Sequence, residues 1–298
     1  MLTILMFACT TEEPVPSQPL PSEYEWEAPQ ATAPEFDAAL VEAGLQEAID
    51  VALRLGGQPV LDGYFTMLEG SDGDCPTWYE QDGNVFWNDY CTSDDGTRFD
   101  GYGFYYLYEQ VPLDDSATRY DGHSLYGVAT VEAADGTRLH MGGGLQTLQG
   151  YDPDNNGSIY LSQIEGGFSW TEAEGWLGEG LQPDIYLYAV DYPDWDGRGA
   201  FIEGAVGGLP GAASAVFFES NLLFTASLGA VCEREPTGSI QVRDGAGSWW
   251  LVVFDTPEEG EMQGSLCDGC GTVSLNGEEV GEACADFSSW ISWEGSPW

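Results

Sequence analysis

Seven cysteines, at positions 9, 75, 91, 232, 267, 270 and 284, are the residues with the widest choice of chemistry. Thiolates ligate zinc or pair as crosslinks, and spacing and compartment decide which. Setting aside Cys9, which belongs to the N-terminal segment, six remain, an even number that suits three disulfides in an exported chain. A three-residue hairpin loop at Asp82-Gly83-Asn84, centred on Gly83, places Cys75 opposite Cys91 and Tyr79 opposite Trp87. Cys270 and Cys284 are equidistant from the Asn276-Gly277 turn, so one bulge brings them opposite and leaves Cys232 to pair with Cys267. Cys267-Asp268-Gly269-Cys270 also has the spacing of a zinc knuckle, but a second knuckle is missing.

Oxygen ligands are concentrated in Asp152-Pro153-Asp154-Asn155-Asn156-Gly157-Ser158-Ile159. Calcium takes six to eight hard oxygens, and alternate residues around a Gly turn converge them on one point. The stretch resembles the calcium loop of EF-hand-like and related Asp-rich repeats, which implies Asp152, Asp154, Asn156, Ser158 and Gln163 as ligands. Gln163 stands where the bidentate Glu of that loop belongs, and flanking helices are not evident. The competing reading is an Asn-Gly turn between two strands. Asp191, Asp194 and Asp196 before Gly197 read as a turn.

Catalytic signatures are sparse. The two histidines, His123 and His140, fall in strand-like segments, where hydrogen-bonded structural roles predominate. Nucleophile elbows, zinc-protease helices, phosphate loops and dinucleotide fingerprints are absent from the chain. No catalytic residue is assigned. A carboxylate pair of the glycosidase kind is the enzymatic alternative, since 51 acidic residues supply many pairs.

Those acids face seven arginines and no lysine, for a formal net charge of −44. The balance excludes nucleic acid as a partner and disfavours docking on an anionic membrane surface. It suits a cation-binding surface, a cationic partner, high salt, or simply a self-repelling solvated exterior. With 43% apolar and 13% aromatic residues, the chain is nonetheless built to pack. Forty glycines and frequent Asp-Gly and Asn-Gly pairs mark a β protein with many tight turns.

The elements that must carry these residues follow from periodicity. Thr32 and Glu35 are spaced as a capping box with Pro34 in the first turn. Phe36, Leu40, Ala43, Ile49, Ala52 and Leu53 then hold a helical stripe up to Gly56-Gly57, and residues 59–69 suggest a second short helix. From 75 to about 280 the pattern is strand, turn, strand. Asp95-Gly96-Thr97-Arg98, Asp121-Gly122 and Asp135-Gly136-Thr137-Arg138 recur as turns feeding strands. In 98–108, Phe99, Tyr105 and Leu107 alternate with Tyr102, Phe104, Tyr106 and Tyr108, so one sheet face is aliphatic and the other tyrosine-rich. The tyrosine face is expected to be buried against a second sheet or the N-terminal helices, because large exposed apolar patches are uncommon. Left open, it would serve as a stacking platform.

The chain opens with MLTILMFA, then Cys9, then the Pro- and Glu-rich stretch 10–31. This order resembles a bacterial lipoprotein, which implies lipidation at Cys9, a tether, and an extracytoplasmic domain. No apolar run of about 20 residues could span a membrane as a helix. Cys75-Pro76 with Cys91-Thr92-Ser93-Asp94-Asp95-Gly96-Thr97, and Gly238–Asp244 through Cys267–Gly271, resemble uncharacterised predicted lipoproteins of deltaproteobacterial or myxobacterial type. The resemblance implies a bacterial cell-envelope location, outer-membrane or secreted, and a β-rich ectodomain, with no activity attached.

The expected organisation is a truncated signal at 1–9, a tether at 10–31, a helical segment at 32–70 and a disulfide-stapled β domain at 71–298, divisible at 230/231. The expected fold is mainly β: an antiparallel meander of about 10–14 strands, sandwich-like or a curved open sheet, with one or two short N-terminal helices. The expected function is a non-enzymatic ectodomain, structural or binding carbohydrate or an envelope protein, with calcium as the candidate cofactor. The alternative is a glycan hydrolase or lyase. Membrane contact is expected through the lipid anchor alone.

Overall fold

Among the described residues, alternating aliphatic and aromatic side chains, punctuated by glycine turns, build thirteen antiparallel strands in one sheet whose order follows the chain. The computed structural model describes residues 35–55, 61, 64–65, 68–81, 84–112, 117–154, 156–171, 177–192, 197–209, 211–226, 236–254 and 268–288. Cys9, the 10–31 segment, Thr32, Pro34, Gly56-Gly57, Asp194, Asp196, Cys232 and Cys267 lie outside them. A helix, α1 (Ala38–Leu55), precedes β1 (Trp78–Gln81), β2 (Asn84–Thr92), β3 (Arg98–Val111), β4 (Arg119–Glu132), β5 (Arg138–Asp152) and β6 (Gly157–Thr171). The meander continues through β7 (Leu177–Tyr192), β8 (Gly197–Gly207), β9 (Ala213–Ala226), β10 (Gly238–Asp244), β11 (Trp249–Phe254), β12 (Cys270–Leu275) and β13 (Glu278–Cys284). Pairing of β9 with β10 carries the ladder across the 230/231 division, so both parts share one sheet.

Helix α1 starts later than its expected cap. Asp37 accepts the Ala39 N–H at 3.1 Å and so caps the first turn. The buried stripe is Val41, Gly44, Leu45, Ala48 and Ile49, rotated from the expected one so that Ala43 faces water. Gly44 decides this rotation: a Cβ there would lie 2.5 Å from Val242 Cγ1, so only a glycine lets the helix settle onto the sheet. The helix packs on β9, β10 and β13. Its Glu42 and Gln46 accept the N–H groups of Cys284 and Asp286 at 3.2 and 3.1 Å, which ties it to the β13 edge.

Of the second expected helix, Leu61, Tyr64, Phe65, Leu68 and Glu69 are described; the first four are helical and Glu69 lies in a turn. They cover the opposite end of the sheet. Trp87 of β2 donates its indole N–H to Tyr64 Oη at 3.1 Å, and Phe65 meets Tyr105 of β3 edge-on at 5.0 Å. Both ends of the sheet therefore share one helical layer on one face, termed the inner face. A single core fills it, from Val41, Leu45 and Ile49 of α1 to Trp87, Phe99, Phe218, Trp250 and Phe254 of the strands. Each such side chain contributes about 1.5–3 kcal/mol by leaving water.

Turn chemistry accounts for the register. Residues 93–97, 133–137 and 244–248 close alike: the first N–H reaches the last carbonyl, and Gly96, Gly136 and Gly247 adopt φ of 92°, 92° and 90°. Asp121-Gly122 departs from its expected role as a turn and lies inside β4. There the Asp121 carboxylate accepts the backbone N–H of Gln110 at 2.8 Å, at a bulge in β3. In the first hairpin Gln81 pairs with Asn84, leaving two residues between the strands rather than three. The partners become Trp78 with Trp87 and Tyr79 with Phe86, correcting the expected Tyr79–Trp87 pair. Cys75 precedes β1 and joins Cys91 outside the ladder. Cys270 pairs directly with Cys284 and is disulfide-bonded to it, with a register shift between Val273 and Ser274 supplying the expected bulge.

Candidate functional site

Register alone assembles a surface on the sheet's outer face. One row of directly opposed residues crosses seven strands: Tyr79, Phe86, Phe104, Tyr126, Gly144, Glu165 and Asp184. The next row toward β3's start contains Tyr102, Val128 and Gly142. The row on the other side contains Tyr106, Ser124, Gln146, Gln163, Tyr186 and Glu203. Beyond it, Leu148 and Ile159 with Tyr120 form a small second apolar cluster, against which Tyr108 and Tyr188 pack.

The tyrosine face is open, contrary to the expected burial. Tyr79, Tyr102 and Tyr126 are 51%, 39% and 46% exposed. The reason is layer count: among the described residues the helical layer lies on the inner face only. The rings are nonetheless held. Tyr79 stacks on Phe86 at 5.5 Å with 18° between planes, and Tyr102 and Tyr126 lie 6.3 Å apart. Gln146 donates its amide to Tyr108 Oη at 2.9 Å.

Between the rings and the carboxylates runs a glycine gap. A Cβ at Gly144 would sit 3.2 Å from the Tyr126 ring and 3.9 Å from Glu165 Oε1, so the missing side chain brings ring and carboxylate together. The electrostatics agree. The Tyr126 phenol is raised above its ordinary range, first by its hydrogen bond with Tyr102 and least by the negative field of Glu165. Loss of hydration raises the Asp184 carboxyl, although its surface remains exposed. Burial raises Tyr186 as well, helped by Glu203. An aromatic π face carries partial negative charge and attracts the partly positive C–H groups of a sugar ring or a cation. Flanking carboxylates accept hydrogen bonds from hydroxyl or ammonium groups.

The expected calcium ligands divide between the β5–β6 hairpin and the strand that follows it. Asp152 pairs with Gly157 to close the β5–β6 hairpin. Its Oδ1 accepts the Asp154 N–H at 3.0 Å, and Asn156 Oδ1 accepts the Tyr151 hydroxyl at 2.8 Å. Ser158 is paired with Tyr151 and belongs to the inner-face set. Gln163 lies six residues past Gly157 along an extended strand, roughly 20 Å away, on the outer face opposite Gln146 and Tyr186. It does not reach the loop. Asp191 pairs with Ser158.

The histidines lie on opposite faces. His123 Nδ1 shares a 2.7 Å hydrogen bond with Tyr105 Oη, and exposed His140 shares one of 2.9 Å with Thr130 Oγ1. The disulfide between Cys270 and Cys284 takes Cys270 out of the zinc knuckle. Among the described residues, no helix is long and apolar enough to cross a membrane, and no three His, Cys, Asp or Glu side chains gather as a metal site.

Sequence reasoning separated the two faces of β3 but missed Glu165 and Asp184, which are 19 residues apart in the chain. The signal was present only as register. Comparison with known proteins finds no matching family model, curated protein or solved structure.

Proposed function

We propose that this protein is an envelope-anchored, non-enzymatic β ectodomain that binds carbohydrate through the outer face of β1–β7. The row of Tyr79, Phe86, Phe104 and Tyr126, fixed on a sheet with Tyr79 and Tyr126 exposed and the two phenylalanines half-buried, is the observation that carries the reading. The lipidated Cys9 and the tether at 10–31 would hold this face away from the membrane. The proposed location is the bacterial envelope, at the outer membrane or secreted. Depletion of the protein from solution by insoluble polysaccharides tests the reading. Replacing Tyr102 and Tyr126 with alanine is expected to weaken retention about tenfold, since aromatic contacts contribute about 0.5–1.5 kcal/mol each. Equal retention of the variant contradicts it.

One observation favours a second reading, a glycan hydrolase or lyase: Glu165 and Asp184 face each other directly across β6 and β7. Sustained release of reducing ends, abolished by both Glu165→Gln and Asp184→Asn, would put that reading in place of the first.

A further inference from the structure

We propose that the outer face selects a polymer of protonated amino sugars over neutral or anionic glycans, a refinement that rests on the carbohydrate reading above. Two features of the face argue for a ligand that is ring-bearing and cationic. The rings of Phe104 and Tyr126 lead in one row to Glu165 and Asp184, with Gly144 leaving the floor flat between them. Glu203 adds a third carboxylate beside Tyr186 on the neighbouring row.

Among the described residues, positive charge is remote from this end of the face. Arg98 and Arg138 occupy a row three steps from Tyr126, roughly 20 Å along the strands, and Arg98 is engaged with Asp100 at 2.9 Å. Like charges directly opposed on neighbouring strands repel one another, and Glu165 and Asp184 are so placed. A bound ammonium group relieves that repulsion, whereas a uronic-acid polymer would add to it. Sugar rings stacked on Tyr126 place substituents within reach of the carboxylates on one side only, so repeating units along the row meet aromatic and acidic surface in turn.

The full chain is titrated with a glucosamine hexamer and with its N-acetylated counterpart, at slightly acidic pH and fixed ionic strength. The hexamer of free amines is expected to bind about tenfold more tightly, through exposed ion pairs that salt weakens. Glu165→Gln combined with Asp184→Asn removes this preference by weakening the free-amine hexamer more than the acetylated one. Glu278→Gln combined with Glu279→Gln, an equal charge change on β13, keeps the preference and so separates the site from general attraction to an acidic protein. Equal or tighter binding of the acetylated hexamer overturns amine selection but leaves carbohydrate binding standing. Preference that survives in the Glu165/Asp184 variant also overturns the site. Failure of both hexamers to bind overturns both readings.

Discussion

Asp72 does the work of three bonds at the start of the β domain. It accepts N–H groups from Asp94 at 2.7 Å, Cys75 at 2.9 Å and Asp74 at 3.1 Å, and so joins the two chain segments beside the Cys75–Cys91 bridge. These bonds, that from Asp94 foremost, hold its carboxyl below the usual aspartate range. A depressed carboxyl contributes stability that is present above the unfolded value, about 3.9, and is lost as pH falls through the folded value. Asp95 and Asp135 behave alike, through Ser93 and Thr97 in one turn and Thr137 in the other. In about 1 M salt, which screens the general repulsion of the acidic surface, the melting temperature should fall below about pH 4. Asp72→Asn should melt lower at neutral pH, with the gap from wild type closing as pH falls. A gap constant with pH contradicts this role. Sequence spacing exposed the oxygens of Asp152–Ser158 but not their use. Whether alternate ligands converge depends on local conformation, and Gln163 was carried away by an extended strand that the loop pattern could not reveal.

Hairpins were legible where the turn residues sit at the tip, as at Asn276-Gly277, with φ of 53° and 82°, and at Gly96 and Gly136. The same dipeptide at Asp121-Gly122 misled, because its carboxylate serves a bulge on the neighbouring strand rather than a turn. A second glycine pattern became meaningful only through register. Gly103, Gly127, Gly143 and Gly166 form one inner-face row across four strands, and Trp87 and Tyr64 pack against Gly103. Gly166 adopts φ of 99°, and a Cβ there would lie 2.4 Å from the Gly142 carbonyl oxygen. Gly166→Ala should therefore lower unfolding free energy by about 1–3 kcal/mol in denaturant titration. A change under a few tenths would show that the strands do not approach so closely. For the β5–β6 hairpin, the departure of Gln163 along β6 favours the turn reading over the calcium loop. Melting temperatures in calcium and magnesium should then coincide at equal ionic strength. A calcium-specific rise that Asp154→Ala abolishes would restore the ion site.

A single sheet served by one helical layer determines what the molecule offers to its surroundings. The mainly β class and a strand number within 10–14 were legible from alternation and turn spacing, and the described residues form thirteen strands. The choice between a sandwich and an open sheet was not legible, because it turns on which distant segments share a layer. That choice decides whether Tyr102 and Tyr126 are core or surface. Chemical labelling of tyrosines in the intact protein, read residue by residue with and without a glucosamine polymer, tests the open binding face most directly. Tyr79, Tyr102 and Tyr126 should label in the free protein while buried Tyr64 and Tyr160 do not, and the polymer should protect Tyr102 and Tyr126. Unreactive Tyr102 and Tyr126 in the free protein, or labelling that the polymer leaves unchanged, would contradict the account.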